Sequence, residues 1–582
     1  MIRIDCKEHG ILPEADVTIA LDRLLQQYPR DAHFVLERGD YYFTPKFTHD
    51  YRLSNTDVLP RRKLGVRLRE MENVILDFNG SHLYFEGQMQ AITLDHCKNV
   101  TVKNAVIDWK KPLVAEGIVR NVGDGFVDLY VDPAAFPHEL RDDGALYFDI
   151  GNGEWRKMGH GAIQFDENTR TVRRDTGDSF RFSRIEALGD SIYRMRGKVN
   201  RNVAVGNIFV LRHNQREHAG AFCEKCKNVT LEDLTFHSCG GLGCLAQFNE
   251  DVTFRRVNFL PNRAAGRLIV SGRDDGMHVT CNRGTVTIEE CSFLGLMDDP
   301  INVHGCCVTV AEVINARTLR CKYEHPQACG FHNWAEAGDH LGFIERKHMT
   351  AVGQATVAAY ALSDTYEYFT VTFDADLPAD LLDAASDPKA LALDNLSNTA
   401  AFVCRNNRFG SCRARGVLVS TPKPVKITGN LFASSGSAIL VAGDSNYWFE
   451  SGECHDVEIS DNVFTDACLT SDYQFCHGII SVCPVVPEPV TDLPYHKNIR
   501  IHHNRFDTAD TPVLYAYSTG GLVFEQNTIF RSPAAECRKP EAKGLIRLDH
   551  CRDVKVKDNQ FVGEFTLPTY EIKDSTALNL ES

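Results

Sequence analysis

One short pattern recurs along this chain of 582 residues and constrains its fold more than any other feature. An alternating apolar run is followed by a polar pair, often containing Asn, and then by an apolar residue that is usually Phe. Asn228-Val229-Thr230-Leu231 leads to Leu234-Thr235-Phe236, and Asp251-Val252-Thr253-Phe254 leads to Val257-Asn258-Phe259. Further on, Val425, Val457, Ile499, Leu522 and Val554 open runs followed by Asn430 and Phe432, Asn462 and Phe464, Asn504 and Phe506, Asn527 and Phe530, and Asn559 and Phe561. The step is 252 − 229 = 23 residues in one place and 457 − 425 = 32 in another. A variable period above about 20 with short strands marks a parallel β-helix, whose loops absorb the length differences. Inward Val, Ile and Phe then stack coil on coil. Asn at a fixed offset suits a turn, where its side chain bonds backbone and tolerates positive φ. A β-sandwich array rarely repeats one consensus so faithfully.

The expected fold class is therefore all-β: a right-handed parallel β-helix with an N-terminal capping helix and two inserted β-rich, barrel-like subdomains. Residues 1–110 supply the cap and the first coils. Asp16 is placed to cap a helix whose apolar face is Val17, Ala20, Leu21, Leu24, Leu25 and Tyr28, followed by strand, turn and strand over 34–43. Such a helix hides the open end of the core from water. Segments 111–205 and 306–400 lack the consensus but keep strand signals at 126–131 and 368–373, so they read as inserted subdomains. Coils resume at 206–305, where the chemistry is expected, and at 401–582.

Composition narrows the function. A hydrophobic share of 43% and a charged share of 24% are ordinary for a folded chain. A net charge of −15 disfavours nucleic acid as a partner. No run of about 18 apolar residues is present, which argues against a membrane span. The first eight residues, Met1-Ile2-Arg3-Ile4-Asp5-Cys6-Lys7-Glu8, contain no apolar signal core, so the expected location is cytoplasmic, or secreted or periplasmic if a signal has been removed. The 20 Cys then read as buried, inert thiols. Cys223-Glu224-Lys225-Cys226 is the only CxxC and has no second pair at zinc spacing.

Solenoid strands are committed to packing, so function is expected in the loops. The densest polar loops are Ser271-Gly272-Arg273-Asp274-Asp275-Gly276-Met277-His278 and Gly295-Leu296-Met297-Asp298-Asp299-Pro300-Ile301-Asn302-Val303-His304-Gly305. Asp275 and Asp298 are 298 − 275 = 23 residues apart, one short coil. Adjacent coils lie about 4.8 Å apart, which predicts Asp275 directly beside Asp298, with Asp299 next to it. Crowded carboxylates repel and raise at least one pKa, the arrangement a glycosidase needs for one acid and one base or nucleophile. The same cluster is compatible with Ca²⁺ binding or with plain turn chemistry. His278, Asn302 and His304 favour the catalytic reading, as directional donors suited to sugar hydroxyls.

These residues resemble the pectin-lyase-like hydrolases, and most closely glycoside hydrolase family 110, the α-1,3-galactosidases. The resemblance rests on the loop Asp274–His278, on the loop 297–305, and on two β-rich insertions, and it covers nearly the whole chain. It implies exo-action with inversion, no metal and no other cofactor. The implied substrate is a glycan with terminal α-galactose, blood-group-B-type or linear Galα1-3Gal, and the implied assembly leans to a homodimer. It also implies that Asp298 and Asp299 sit at the reacting centre, one activating water, while Asp275 holds or protonates; acid and base are not distinguished. An inverting enzyme needs carboxyl groups about 6.5–9.5 Å apart. The 332–336 segment of the second insertion is therefore a further candidate, with Trp334 to stack on a sugar and Glu336 as acid. Two rival readings are a pectin-type hydrolase, served by Arg263, Arg267, Arg273 and Arg283, and a non-catalytic glycan-binding β-helix.

Overall fold

The computed structural model describes residues 1–59, 61–174, 176–199, 202–213, 215–471, 473–533 and 541–581. The repeated runs form parallel strands stacked in register, and the chain is a parallel β-helix. Val229 pairs with Val252, Val425 with Val457, and Arg500 with Val523, so the sequence steps of 23 and 32 are coil lengths. Two long sheets result. One has 24 strands and carries the Asn–Phe consensus; the other has 14 strands, among them Met277–Thr280 and Ile301–Cys306. No helix among the described residues is long and apolar enough to cross a membrane.

The consensus phenylalanines stack through the core. Phe236, Phe259, Phe293, Phe409, Phe432, Phe464 and Phe506 follow one another with centroids 4.4 to 5.9 Å apart and planes within 14° of parallel. Phe530 does not join them: the partner of Phe506 is Ile529, and Phe530 stands one place beyond. The asparagines form a buried ladder beside this stack. Nδ2 of Asn407, Asn430, Asn462, Asn504 and Asn527 each donates to Oδ1 of the Asn one coil on, ending at Asn559, at 2.9 to 3.0 Å. Positive φ falls on the preceding residue, as at Asn406, Asp461, His503, Gln526 and Asp558, rather than on the ladder Asn itself. That residue makes the corner, which turns the next amide inward to satisfy backbone the corner leaves unpaired.

The N-terminal helix, Thr18–Gln27, lies at the start of the stack, and Asp16 accepts from Thr18 N at 3.0 Å. Leu21, Leu24 and Leu25 are buried as expected; Ala20 is exposed, and the buried Asp22 pairs with Arg67 at 2.7 Å.

Both insertions are spliced between coils without disturbing their register. Val100 pairs directly with Val229 although the first insertion lies between them. Val286 likewise pairs with Phe402 across the second. The first insertion holds a seven-stranded antiparallel sheet running from Ala115–Gly123 to Ile208–Arg212, with a three-stranded sheet beside it. The second is a closed six-stranded barrel between Val308–Asn315 and Leu391–Asn395.

The cysteines are packing residues. The 19 described are free thiols, all buried except the half-buried Cys329 and Cys483. Cys223 and Cys226 form no disulfide, and burial pushes both thiols up.

Candidate active site

Met277–Thr280 and Ile301–Cys306 are parallel neighbours with Met277 opposite Ile301. The local step is 301 − 277 = 24, one residue more than the coil from Val229 to Val252. Gly276 N donates to Asp299 O at 2.9 Å and carries that register past the strand ends. Along the backbone Asp275 therefore lies beside Asp299, which corrects the expected Asp275–Asp298 register. Each coil sets its own length in its loops, so a step taken from one coil does not transfer to the next. The side chains still converge. Asp274, Asp275, Asp298 and Asp299 all line one pocket of about 260 Å³.

Each carboxylate is held differently. Asp274 is fully buried and accepts from Arg212 at 2.6 Å, Arg216 at 3.0 Å and Arg273 at 2.7 Å. Burial pushes its carboxyl up, but Arg216, Arg273 and Arg212 outweigh that and hold it far below the ordinary range. Asp299 accepts three bonds from Arg415, two from the guanidinium at 2.8 and 2.5 Å and one from the backbone N–H at 2.9 Å. Burial raises its carboxyl and Arg415 opposes the shift; three donors from one residue fix its orientation. Asp298 accepts from Arg216 at 2.7 Å and from Tyr473 at 2.9 Å. Burial raises it, yet Arg216 and then Arg413 leave it below the ordinary carboxylate range. It is the most exposed of the four, at 15% of its side chain.

Asp275 is the opposite case. Its one hydrogen bond among the described residues is with His278 Nδ1, 2.7 Å from Oδ2. Burial, then Asp298, push its carboxyl well above the ordinary range, against the pull of Arg216. The site thus pairs an ionised Asp298 with an Asp275 that favours its proton. Guanidinium, phenol and imidazole donors surround these aspartates. That setting fixes charges and protons and differs from the oxygen cage of a calcium site.

The other sequence candidates divide. Asn302 and Arg273 line the pocket, Asn302 donating to Glu450 at 3.3 Å. His278 and His304 are buried and do not line it; they meet each other, Nε2 to Nε2, at 2.9 Å. Trp334 is not a sugar platform. It is fully buried in the core of the second insertion, 5.2 Å from Phe369, and donates to the Cys306 carbonyl at 3.0 Å. Glu336 is exposed, accepts from Asn333, and lines a separate cleft with Lys225 and Arg283. The 332–336 segment folds into the barrel because its indole finds an apolar core there. Arg263 is exposed, Arg267 is buried against Asp108 at 2.5 Å, and Arg283 pairs with Asp339 at 2.7 Å.

Sequence reasoning missed much of the wall. Arg212 comes from the last strand of the first insertion, and Gln327 from the second. Arg415, Trp448, Glu450 and Tyr473 come from later coils. Trp448 is 37% exposed on the pocket lip. Glu450 also accepts from Asn55 at 2.9 Å, tying the N-terminal coils to the site. Arg413-Ala414-Arg415, two arginines one coil beyond an Asp-Asp pair, was the available signal.

Stacked coils, two β-rich insertions and a pocket floored by four carboxylates are the frame of a β-helical glycoside hydrolase, the class to which its relatives belong. The descriptions "GLAA-B beta-barrel domain I" and "GLAA-B beta-barrel domain II" match residues 115–209 and 318–384. "Alpha-1,3-galactosidase B" of Bacteroides thetaiotaomicron is 35% identical over 574 residues, covering 96% of this chain and 91% of the relative. "Alpha-1,3-galactosidase A" of Bacteroides fragilis is 32% identical, covering 91% and 86%. Among solved structures, the A-module of mannuronan C-5 epimerase AlgE4 of Azotobacter vinelandii is 10% identical, covers 100% of both chains and has a TM-score of 0.40. The chain belongs to the α-1,3-galactosidase family, glycoside hydrolase family 110.

Proposed function

We propose that this protein releases terminal α-1,3-linked galactose from glycans by inverting hydrolysis, with Asp275 and Asp298 as the acid–base pair. The observation that carries this is the pair itself. Asp275 enters holding a proton and Asp298 enters ionised, so two side chains of adjacent coils supply one acid and one base. Inversion requires these two carboxyl groups to diverge to about 6.5–9.5 Å, wider than the coil spacing, so that a water fits between base and sugar. Asp299, clamped by Arg415, orients the centre, and Asp274 anchors Arg216 beneath Asp298. Walls from both insertions and the later coils make a pocket, which suits removal of a terminal residue. Trp448 takes the stacking role on its lip.

The substrate class follows from charge. Seven acidic side chains line the pocket (Asp57, Asp274, Asp275, Asp298, Asp299, Asp444 and Glu450) against four arginines. Those arginines are already paired with Asp274, Asp298 or Asp299. A neutral hexose suits this lining better than a uronate, which would meet unopposed negative charge. The test is to incubate the protein with Galα1-3Gal and with the fucosylated B-type trisaccharide, and to follow the released sugar by NMR. β-Galactose appearing first is expected. Release of α-galactose first refutes inversion, and no galactose from any α-1,3-linked donor refutes the reading.

A further inference from the structure

Two buried histidines have no part in the chemistry above. Asp275 Oδ2 lies 2.7 Å from His278 Nδ1, His278 Nε2 lies 2.9 Å from His304 Nε2, and His304 Nδ1 lies 2.5 Å from the Gly305 carbonyl oxygen. A carbonyl only accepts, so His304 Nδ1 carries a proton. Three hydrogen bonds in series require three protons. A carboxylate and two neutral imidazoles bring only two. The series therefore holds one proton more than its members ordinarily bring near neutral pH.

The surroundings say where that proton rests. His278 is fully buried and His304 is 6% exposed, so a cation on either ring would be desolvated, and burial, then His304 and Arg216, disfavour one on His278. Glu450 Oε1, 3.6 Å from His304 Nε2, is beyond hydrogen-bond reach, and Asp394 is the other acid acting with His304. Asp275 is crowded by Asp298, Asp299 and Asp274, with Arg216 as the opposing charge, so a proton there relieves repulsion. Asp275 Oδ2–H then donates to His278 Nδ1, His278 Nε2–H donates to His304 Nε2, and His304 Nδ1–H donates to Gly305.

We propose that His278 and His304 are positioning residues for hydrolysis: bonded in series behind the pocket, they fix the proton of the catalytic pair on Asp275 and set the tautomers that keep it there. This rests on the acid–base reading of Asp275 and Asp298 proposed above. Without the series, Asp275 would face three like charges with nothing to hold its proton in one direction. An orienting group that enforces a tautomer has this effect in other acid–base enzymes.

Nitrogen-15 NMR of histidine-labelled protein reads the arrangement directly, with His278→Gln and His304→Gln assigning the rings. The expected pattern near neutral pH is His278 protonated at Nε2 alone and His304 at Nδ1 alone. A His278 ring protonated at Nδ1, or either ring carrying both protons there, overturns the proposal. Kinetics supply the second arm. His304→Leu leaves His278 Nε2–H without an acceptor; kcat should fall about 10²-fold at unchanged KM. The basic limb of the pH profile should move to lower pH, because the proton is held less firmly. His304→Gln, whose amide oxygen can accept that bond, should stay within about 3-fold of the wild type. An unmoved pH profile in His304→Leu also overturns the proposal. Wild-type protein inactive on every α-1,3-galactoside would defeat the functional reading, while the tautomers would still be judged by the spectra.

Discussion

Arg216 is the residue whose removal tests the electrostatics of the site most sharply. Its Nη2 bridges Asp274 at 3.0 Å and Asp298 at 2.7 Å. Arg216→Met keeps the length of the side chain and removes its charge. Asp274 retains Arg212 and Arg273, so the pocket floor should stay folded. Asp298 retains only Tyr473 as a direct partner, with Arg413 and Arg415 acting from further away. Two unit charges about 4 Å apart at an effective dielectric near 20 attract by about 4 kcal/mol, which corresponds to about 3 pKa units. Water entering the vacated space and the remaining arginines reduce that, and a rise of about 1–2 units in the Asp298 pKa is expected. The sign follows from its state. Asp298 is held low and ionised, so activity is lost on the acid side as it takes up a proton. Raising its pKa moves that acid limb to higher pH. The assay is kcat/KM on an α-1,3-galactoside across acidic pH, with Arg216→Lys as a control that keeps a charge but not the planar fork. An acid limb that stays within about 0.3 units of the wild type would refute the assignment of Arg216 as the group that keeps Asp298 ionised.

Three further outcomes are expected. Asp298→Asn keeps the Tyr473 bond but removes the charge, so kcat should drop about 10³-fold or more while the glycan still binds; normal hydrolysis would place the chemistry elsewhere. Trp448→Ala should raise KM about 3- to 10-fold through lost stacking, whereas Trp334→Phe should lower the melting temperature and leave KM unchanged; the reverse pattern would restore Trp334 to the site. Asn462→Ala strips the acceptor from Asn430 N and Nδ2 and a donor from the Ile427 carbonyl, all buried, which should cost about 3 kcal/mol or more in denaturant unfolding. The exposed Asn579→Ala should cost less than about 0.5 kcal/mol, and equal losses would show that the buried ladder has no special weight.

The coil repeat was legible because it is written in every coil: Val229, Val252 and Val457 each recur where packing demands an apolar branched residue. The two aspartate loops were legible for the converse reason, since a solenoid has little structural use for Asp274-Asp275 beside Asp298-Asp299. What could not be read was anything settled by neighbours distant in sequence. Asp275 facing Asp299 depends on a coil of 24 residues where a previous one has 23. Trp334 is chemically as fit for a sugar platform as Trp448, and only the closed barrel, which supplies Phe369 against its ring, decides between them. His278 and His304 carry the same signature whether they face a ligand or each other. Arg212 and Arg216 are ordinary in their local sequence and acquire meaning only where insertion and coil meet.

The seamless pairing of Val100 with Val229 across the whole first insertion has an implication for how such enzymes diversify. The stack does not register what is spliced into its corners, so an insertion is free to change length and shape without shifting a coil. One tie limits that freedom: any replacement of the first insertion must still deliver a cation to Asp274, as Arg212 does here.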